Sequence, residues 1–167
     1  MLTIKPLELK DLELFYDFYR GKGYEAFFRH FPKGLDLHTF EQYALVLGGA
    51  LKAVDTKSGR TSGYIVAHTI PDIKQCELGV LVPKKIQQRG LGLMITKTVA
   101  DTVFNTLNYN RLVMITLETD IRTNDILLKG GLTKEGITLQ TTVIDETLYN
   151  EVRWSLDKDT YIKLYKG

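Results

Sequence analysis

A glycine-rich turn between an apolar strand and a long amphipathic helix constrains the fold of this 167-residue chain more than any other feature. The turn reads Gln-Gln-Arg-Gly-Leu-Gly over residues 87–92, and apolar side chains then recur at helical spacing as far as about residue 107. The first turn of a helix leaves several N–H groups unpaired and carries about half a positive charge. Glycines there let these amides approach a bulky anion. The turn therefore predicts a strand–helix unit with a phosphate or pyrophosphate site at the helix start.

The side chains around this turn are basic, although the chain as a whole is nearly neutral. Lys84, Lys85 and Arg89 lie beside the glycines, and no acidic residue occurs between Lys84 and Lys97. Over the whole chain, 22 Lys and Arg residues stand against 20 Asp and Glu, which gives a net charge of +2. Because nucleic-acid binding rests on many phosphate neutralisations, we expect no nucleic-acid partner. The local charge suits a single polyanionic ligand.

Length and composition indicate one globular domain over residues 1–167. With 44% hydrophobic and 25% charged residues, the chain has enough apolar surface to form a core. The longest apolar stretch, residues 44–51, is too short to cross a membrane, and the first residues lack the apolar core of a signal peptide. Cys76 is the single cysteine, which excludes an intrachain disulfide and a zinc cluster of several cysteines. We expect a soluble, cytoplasmic protein without a metal or a membrane partner.

The predicted elements follow in the order strand, two helices, three strands, helix, strand, helix, two strands. This order predicts a mixed α/β, or α+β, sheet with helices on both faces. The second helix has Asp36 as its N-cap candidate. The predicted strands are 2–6, 50–55, 62–70, 75–82, 111–117, 132–143 and 148–156, and the predicted helices begin near residues 9, 37, 91 and 120.

Two common phosphate-binding motifs do not fit the turn. A dinucleotide fingerprint requires a glycine three residues after Gly92, where this chain has Ile95. The P-loop pattern has two glycines with four residues between them, followed by Lys and then Ser or Thr, and it does not occur in this chain. Ile95 thus argues against a nucleotide-binding module of another fold, while an anion site and a pair of glycines that only caps the helix both stay open.

In this turn two residues separate Gln87 from Gly90, and one residue separates Gly90 from Gly92. This spacing matches in full the signature of the GNAT superfamily of acyl-CoA-dependent N-acyltransferases, which the sequence resembles. The predicted order of elements is also that of the family, so the resemblance spans nearly the whole chain. It implies a mostly antiparallel central sheet of about seven strands, two of which splay apart at the CoA site. Residues 77–92 and 129–136 look most like the branch that acetylates protein N-termini, including those of ribosomal proteins.

The resemblance also implies acetyl-CoA as the co-substrate and indicates which residues bind it. The pantetheine arm would pair with backbone groups between the strands at 75–82 and 111–117, and the pyrophosphate would lie on the amides at the start of the long helix. The CoA-binding residues implied in this way are Val80, Leu81, Val82, Gln87, Gln88, Arg89, Gly90, Leu91, Gly92, Leu93 and Asp120.

Glu77 is the candidate general base. The related branch often has a glutamate at this place, just before Leu78, and strand alternation separates Glu77 from the apolar face of Cys76 and Leu78. A carboxylate there could receive the proton of the attacking amine, directly or through water. The alternatives are a solvated glutamate and a structural ion pair. A lone strand cysteine such as Cys76 is expected in the core rather than as an acyl-carrying nucleophile.

The group that would protonate the leaving thiolate is less clearly encoded. In many family members a tyrosine supplies it, but this chain has Leu127 at that position. Thr123 could donate a hydrogen bond to the sulfur, with helix capping as the alternative role. Asp120 occupies the position of an asparagine that opens the last short helix in the family.

The function implied by the resemblance is direct transfer of an acetyl group from acetyl-CoA to an amine, with a protein N-terminus as the expected acceptor and a small amine as the second choice. Leu127 motivates the alternative, a non-catalytic CoA-binding module with a regulatory or structural role. The aromatic residues of 24–31 are expected to form a substrate lid or a partner surface. The histidines are too scattered to propose a metal site, and either a monomer or a homodimer is compatible with the sequence.

Overall fold

One sheet holds the molecule together in the computed structural model, which describes residues 1–47 and 49–167. It contains seven strands: β1 Leu2–Pro6, β2 Ala50–Asp55, β3 Thr61–Ile70, β4 Gln75–Leu81, β5 Arg111–Leu117, β6 Thr133–Ile144 and β7 Thr147–Asp157. Their order in space is β1-β2-β3-β4-β5-β7-β6. Every neighbouring pair is antiparallel except β4 and β5, which are parallel. The mixed, mostly antiparallel seven-stranded sheet expected from the sequence is confirmed.

Within the described residues, five α-helices flank this sheet: α1 Leu12–Arg20, α2 Leu37–Gln42, α3 Leu91–Asp101, α4 Ile121–Lys129 and α5 Lys158–Tyr165. Helices α2 and α3 each continue as a short π-helical turn, over Tyr43–Leu47 and Thr102–Thr106. The predicted cap of α2 is confirmed, because the Asp36 side chain accepts a hydrogen bond from the Thr39 backbone N–H at 2.8 Å. Gly48, inside the apolar stretch of 44–51, lies outside the described residues. Among the described helices none is long and apolar enough to cross a membrane.

The last helix, α5, was not expected from the sequence, which predicted two strands as the closing elements. Its N-cap is Asp157, whose side chain accepts from the Thr160 backbone N–H at 2.8 Å. The helix is short and mostly polar, so its stability depends on packing more than on propensity. Tyr161 supplies this packing, since its ring is buried in the core against Phe104.

The core has two parts, one on each face of the sheet. On one face, α3, α4 and α5 cover residues that include Cys76, Leu112 and Trp154. On the other face, α1, α2 and the segment between them form an aromatic cluster. The aromatic cluster contains Phe15, Phe27, Phe28, Phe31, Phe40 and Tyr64 as buried members. Within residues 24–31, Phe27, Phe28 and Phe31 are therefore core, while Arg29 and His30 stay exposed. A role of this segment as a substrate lid or partner surface stays a prediction.

The parallel pair β4 and β5 separates before either strand ends. Their pairing runs from Gln75 opposite Arg111 to Leu78 opposite Met114. Beyond that point β4 stays paired with β3 as far as Leu81, while the rest of β5 stays paired with β7. The predicted splay is thus present, and it leaves backbone groups of both strands facing a gap in the middle of the sheet.

Candidate active site

The gap between β4 and β5 opens into a cleft of about 420 Å³, called the main cleft below. It extends from the end of β4 across the gap to the first turns of α3 and α4. Arg89, Gly90 and Leu93 belong to the same turn but lie outside the described lining. The residues expected to bind CoA that line the main cleft are Val80, Leu81, Val82, Gln87, Gln88, Leu91, Gly92 and Asp120.

Two glycines lie where α3 begins, and one of them, Gly92, lines the main cleft. Gly90 is the N-cap of α3 and has φ +84°, a left-handed conformation that favours glycine. A Cβ added at Gly92 would lie 2.8 Å from Cδ1 of Ile126 in α4, so glycine lets the two helices approach closely. The N terminus of α3 therefore faces the main cleft without a side chain in the way. This arrangement fits a pyrophosphate on the helix amides.

Gln87 ties this turn to its two neighbours. Its amide nitrogen donates to the Val82 carbonyl at 2.9 Å, and its amide oxygen accepts from the Arg122 guanidinium at 2.7 Å. Arg122 also lines the main cleft and adds a positive charge beside the basic residues at 84–89. No sequence pattern singles out Arg122, because its closeness to Gln87 arises only when α4 packs beside the turn.

A second, smaller cavity of about 40 Å³, called the side pocket, lies on the aromatic-cluster side of the sheet. Four residues line both cavities, namely Ala26, Phe27, Gly79 and Ile115. The side pocket therefore meets the main cleft at the point where β4 and β5 separate. Its polar lining consists of Arg29, His30, Tyr43, His68 and Glu77.

Glu77 lies at the inner end of the side pocket with only 12% of its side chain exposed. Its Oε1 atom is 2.6 Å from Nε2 of His30 and 3.8 Å from Nε of Arg29. Arg29 also forms an ion pair with the buried Glu151 of β7, so it reaches from β4 across β5 to β7. Glu77 is thus not a solvated strand residue. It belongs to an ion-pair network, and that network faces the junction of the two cavities.

Two of the histidines come together in this network. His68 of β3 is directly opposite Glu77 in the antiparallel register, and its ring stacks on that of His30 with centroids 4.5 Å apart. His38 lies apart from them on α2, beside Gln42. His30 and His68 are therefore neighbours in the fold although they lie far apart in the sequence. No sequence signal marks His30, because it lies in an irregular segment between helices.

Asp120 and Thr123, at the start of α4, have different roles in the structure. Asp120 caps the helix, since its Oδ1 accepts from the Thr123 backbone N–H at 3.1 Å. The side-chain capping role therefore belongs to Asp120, and Thr123 lines the main cleft. Leu127 is only 1% exposed and packs in the core at the back of the same cleft.

Cys76 lies on the opposite side of β4 from Glu77 and is fully buried. Burial, with a smaller contribution from the charge of Glu77, raises the pKa of the Cys76 thiol to about 12. A thiol in this state is a poor nucleophile at neutral pH. The expectation that Cys76 belongs to the core is confirmed.

Comparison with known proteins gives one family match and many structural ones. Residues 1–133 match the model of the acetyltransferase (GNAT) domain. A spermidine N-acetyltransferase from Vibrio cholerae, solved with CoA and spermine, has 12% identity over 96% of this chain and 98% of its own, with a TM-score of 0.82. A GNAT-family acetyltransferase from Bacillus anthracis has 14% identity, 95% coverage of each chain and a TM-score of 0.74. No curated protein matches the sequence. At these identities the solved structures establish the fold.

Proposed function

Since this chain belongs to the GNAT acetyltransferase family, we propose that it transfers an acetyl group from acetyl-CoA directly to the N-terminal amine of a protein. The observation that carries this proposal is the position of Glu77 in the side pocket, two residues along β4 from Gly79, which lines both cavities. A base there can take a proton from an amine in the side pocket, and the amine can then attack a thioester held in the main cleft.

Residues of the main cleft are suited to hold CoA. Backbone groups of β4 beyond Leu78 have no partner strand on the β5 side and are available to an extended pantetheine arm. The helix start after Gly90 can bind the pyrophosphate, and Arg122 and Arg89 add positive charge around it. When bound, acetyl-CoA supplies the thioester carbonyl that accepts the amine.

In the side pocket, Glu77 removes a proton from the entering ammonium group. The nitrogen lone pair then attacks the thioester carbon, so that a C–N bond forms and the C–S bond breaks. The nitrogen loses its second proton in this step, and the departing thiolate takes up one proton to leave as free CoA thiol. The hydroxyl of Thr123, in the wall of the main cleft, is the candidate donor to the departing sulfur. Because a CoA thiolate is a tolerable leaving group, the reaction does not depend on a tyrosine at the position of Leu127.

Charge in the side pocket favours an acceptor with one positive charge. Arg29 lies beside Glu77 and also pairs with Glu151. Its positive charge therefore neutralises much of the negative charge that these two carboxylates would offer a polycation. A peptide amino terminus carries a single charge and meets that condition. A polyamine is the second candidate, because the Vibrio cholerae enzyme that shares this fold is a spermidine N-acetyltransferase solved with spermine.

The proposal is tested in two steps, binding and then turnover. Thermal shift with acetyl-CoA, NAD and ATP should give selective stabilisation by acetyl-CoA, whereas selective stabilisation by ATP or NAD would contradict the proposal. Release of free CoA thiol is then measured with hexapeptides that have a free α-amine, with the same peptides blocked by N-formylation, and with spermidine.

The outcomes separate the candidate functions. Turnover with free peptides and none with blocked ones supports N-terminal acetylation. Turnover with spermidine alone identifies a polyamine acetyltransferase. Binding of acetyl-CoA without turnover of any acceptor supports the non-catalytic module that Leu127 suggested.

A further inference from the structure

We propose that His30 is a proton-relay residue that acts through Glu77: it takes up the proton that Glu77 removes from the amine and passes it to solvent. This inference rests on the proposed function, because it assigns a route to a proton that amine acetylation must release. It adds a residue from outside the sheet to a centre otherwise built on β4 and α4.

The first observation is the contact between the two side chains. Nε2 of His30 lies 2.6 Å from Oε1 of Glu77, which is hydrogen-bonding distance for direct proton transfer. The backbone of His30 is held as well, because the Tyr43 hydroxyl donates a hydrogen bond to the His30 carbonyl at 3.0 Å. His30 is therefore positioned at the carboxylate by two separate elements.

The second observation is that the two side chains differ in their exposure to solvent. The Glu77 side chain is 12% exposed, whereas that of His30 is 44% exposed. A proton on Glu77 is nearly enclosed by the side pocket, and a proton on His30 has direct access to water. The pair thus connects the enclosed junction of the two cavities with bulk solvent.

The third observation concerns the charges that face His30 and Glu77. His68 of β3 stacks on the His30 ring with centroids 4.5 Å apart, and Arg29 lies 3.8 Å from Glu77 while paired with Glu151 of β7. Two stacked imidazoles repel each other when both are protonated. The pair is therefore faced by a cation, Arg29, by the carboxylate of Glu151 beyond it, and by a second imidazole, His68.

The balance of the transfer is simple. An N–H bond of the ammonium group breaks and an O–H bond forms on Glu77. That O–H bond then breaks as an N–H bond forms on Nε2 of His30, and the imidazolium gives one proton to water. Glu77 returns to its carboxylate form and His30 to a neutral ring, so neither side chain is consumed.

The test compares His30→Gln with wild type in release of CoA from acetyl-CoA, using a hexapeptide with a free α-amine. The Gln amide can still bond to Glu77 but cannot carry a proton. We expect kcat/KM to fall about tenfold or more at about pH 6.5, where an α-amine arrives protonated, and to approach the wild-type value at about pH 9, where it arrives neutral. The affinity for acetyl-CoA should not change.

The matched control is His38→Gln, an exposed histidine outside both cavities, which should leave the pH profile unchanged. A second variant, His30→Ala, opens space at an exposed position, and added imidazole should restore its rate at low pH. Imidazole should not restore Glu77→Gln, because there the first proton acceptor is missing.

The outcomes are distinguishable. A wild-type protein that turns over no acceptor overturns the proposed function and the relay together. If the wild type is active and His30→Gln has the same pH profile, the relay is overturned and the proposed function stands. The same holds if imidazole does not restore the rate of His30→Ala.

Discussion

Nε2 of His30 lies 2.6 Å from Oε1 of Glu77, although 47 residues separate the two in the chain. One residue comes from the irregular segment before α2 and the other from the centre of β4. Their contact places the two side chains in the side pocket, which meets the main cleft at Gly79 and Ile115. The consequences for catalysis are measurable residue by residue.

Glu77→Gln should separate chemistry from CoA binding. The amide keeps the shape of the side chain but cannot accept a proton, so we expect kcat to fall about 100-fold. The affinity for acetyl-CoA should stay at the wild-type value, because Glu77 lines the side pocket and not the main cleft. Thiol release and calorimetry measure the two quantities. Glu13→Gln, exposed on α1, is the control, and equal turnover of Glu77→Gln and wild type across neutral pH would remove Glu77 as the base.

Gly90→Glu should abolish acetyl-CoA binding, since it puts a negative charge and a side chain at the N-cap of α3. Gly59→Glu is a matched control, because Gly59 also has positive φ and open space around it but lies in the β2–β3 turn. Both variants should lose about 1 kcal/mol of folding stability from backbone strain. Calorimetry with acetyl-CoA then tests the site: an unchanged affinity in Gly90→Glu would mean that the glycine only caps the helix.

Thr123→Val should reduce kcat about tenfold while acetyl-CoA still binds, because it removes the hydroxyl proposed to donate to the leaving sulfur. The helix cap stays intact, since the Asp120 side chain accepts from the backbone of residue 123. Thr123→Ser keeps the hydroxyl and should retain most of the activity. If the valine and serine variants turn over at the same rate, Thr123 has no part in the chemistry.

Cys76 should resist thiol reagents in the folded protein. Burial raises its pKa to about 12, so almost no thiolate is present at neutral pH or at pH values well below that pKa. Labelling with a disulfide reagent should therefore follow the unfolding transition in a urea titration. Cys76→Ala should retain acetyl transfer, and its loss together with rapid labelling of the native wild type would contradict a core role.

Lys52→Met should destabilise the fold through the buried carboxylate that it leaves behind. The Lys52 ammonium lies 2.7 Å from Asp11, and both side chains are buried. Breaking such a pair costs about 3 kcal/mol at neutral pH, as measured by urea denaturation. Lys10→Met is the control, because Lys10 pairs with Glu8 on the surface and should have little effect.

The penalty for Lys52→Met should also depend on pH. The hydrogen bond from Lys52, helped by Lys10, holds the pKa of Glu8 below its ordinary value of 4.5. A carboxylate whose pKa is lowered in the folded protein stabilises the folded state at pH values above its ordinary pKa. This stabilisation is lost as the pH falls through the lowered pKa. The difference between wild type and Lys52→Met should therefore shrink below about pH 4.5. A difference that stays constant down to acidic pH would show that packing of the lysine stem, not its charge, is responsible.

Local features of the chain were predictable. The turn at 87–92 and the Asp36 cap depend on residues close in sequence, and the alternation around Glu77 placed that residue opposite the core face of β4. The helix α5 was missed, although its cap is also local, because its polar sequence is held by the burial of Tyr161. Where tertiary packing stabilises a short helix, propensity alone does not reveal it.

The sequence by itself determined the glycine turn and the order of elements as far as β7, because periodicity and spacing act over a few residues. Its resemblance to the acetyltransferases singled out the candidate groups Glu77 and Thr123. Only the tertiary structure decided which side chains surround Glu77. His30 reaches it across 47 residues, and Arg29 pairs with Glu151 across 122. These contacts follow from the order of strands in the sheet and from the path of an irregular segment over its face. Neither leaves a periodic signal in the sequence, so the charge network became visible only when the sheet was assembled.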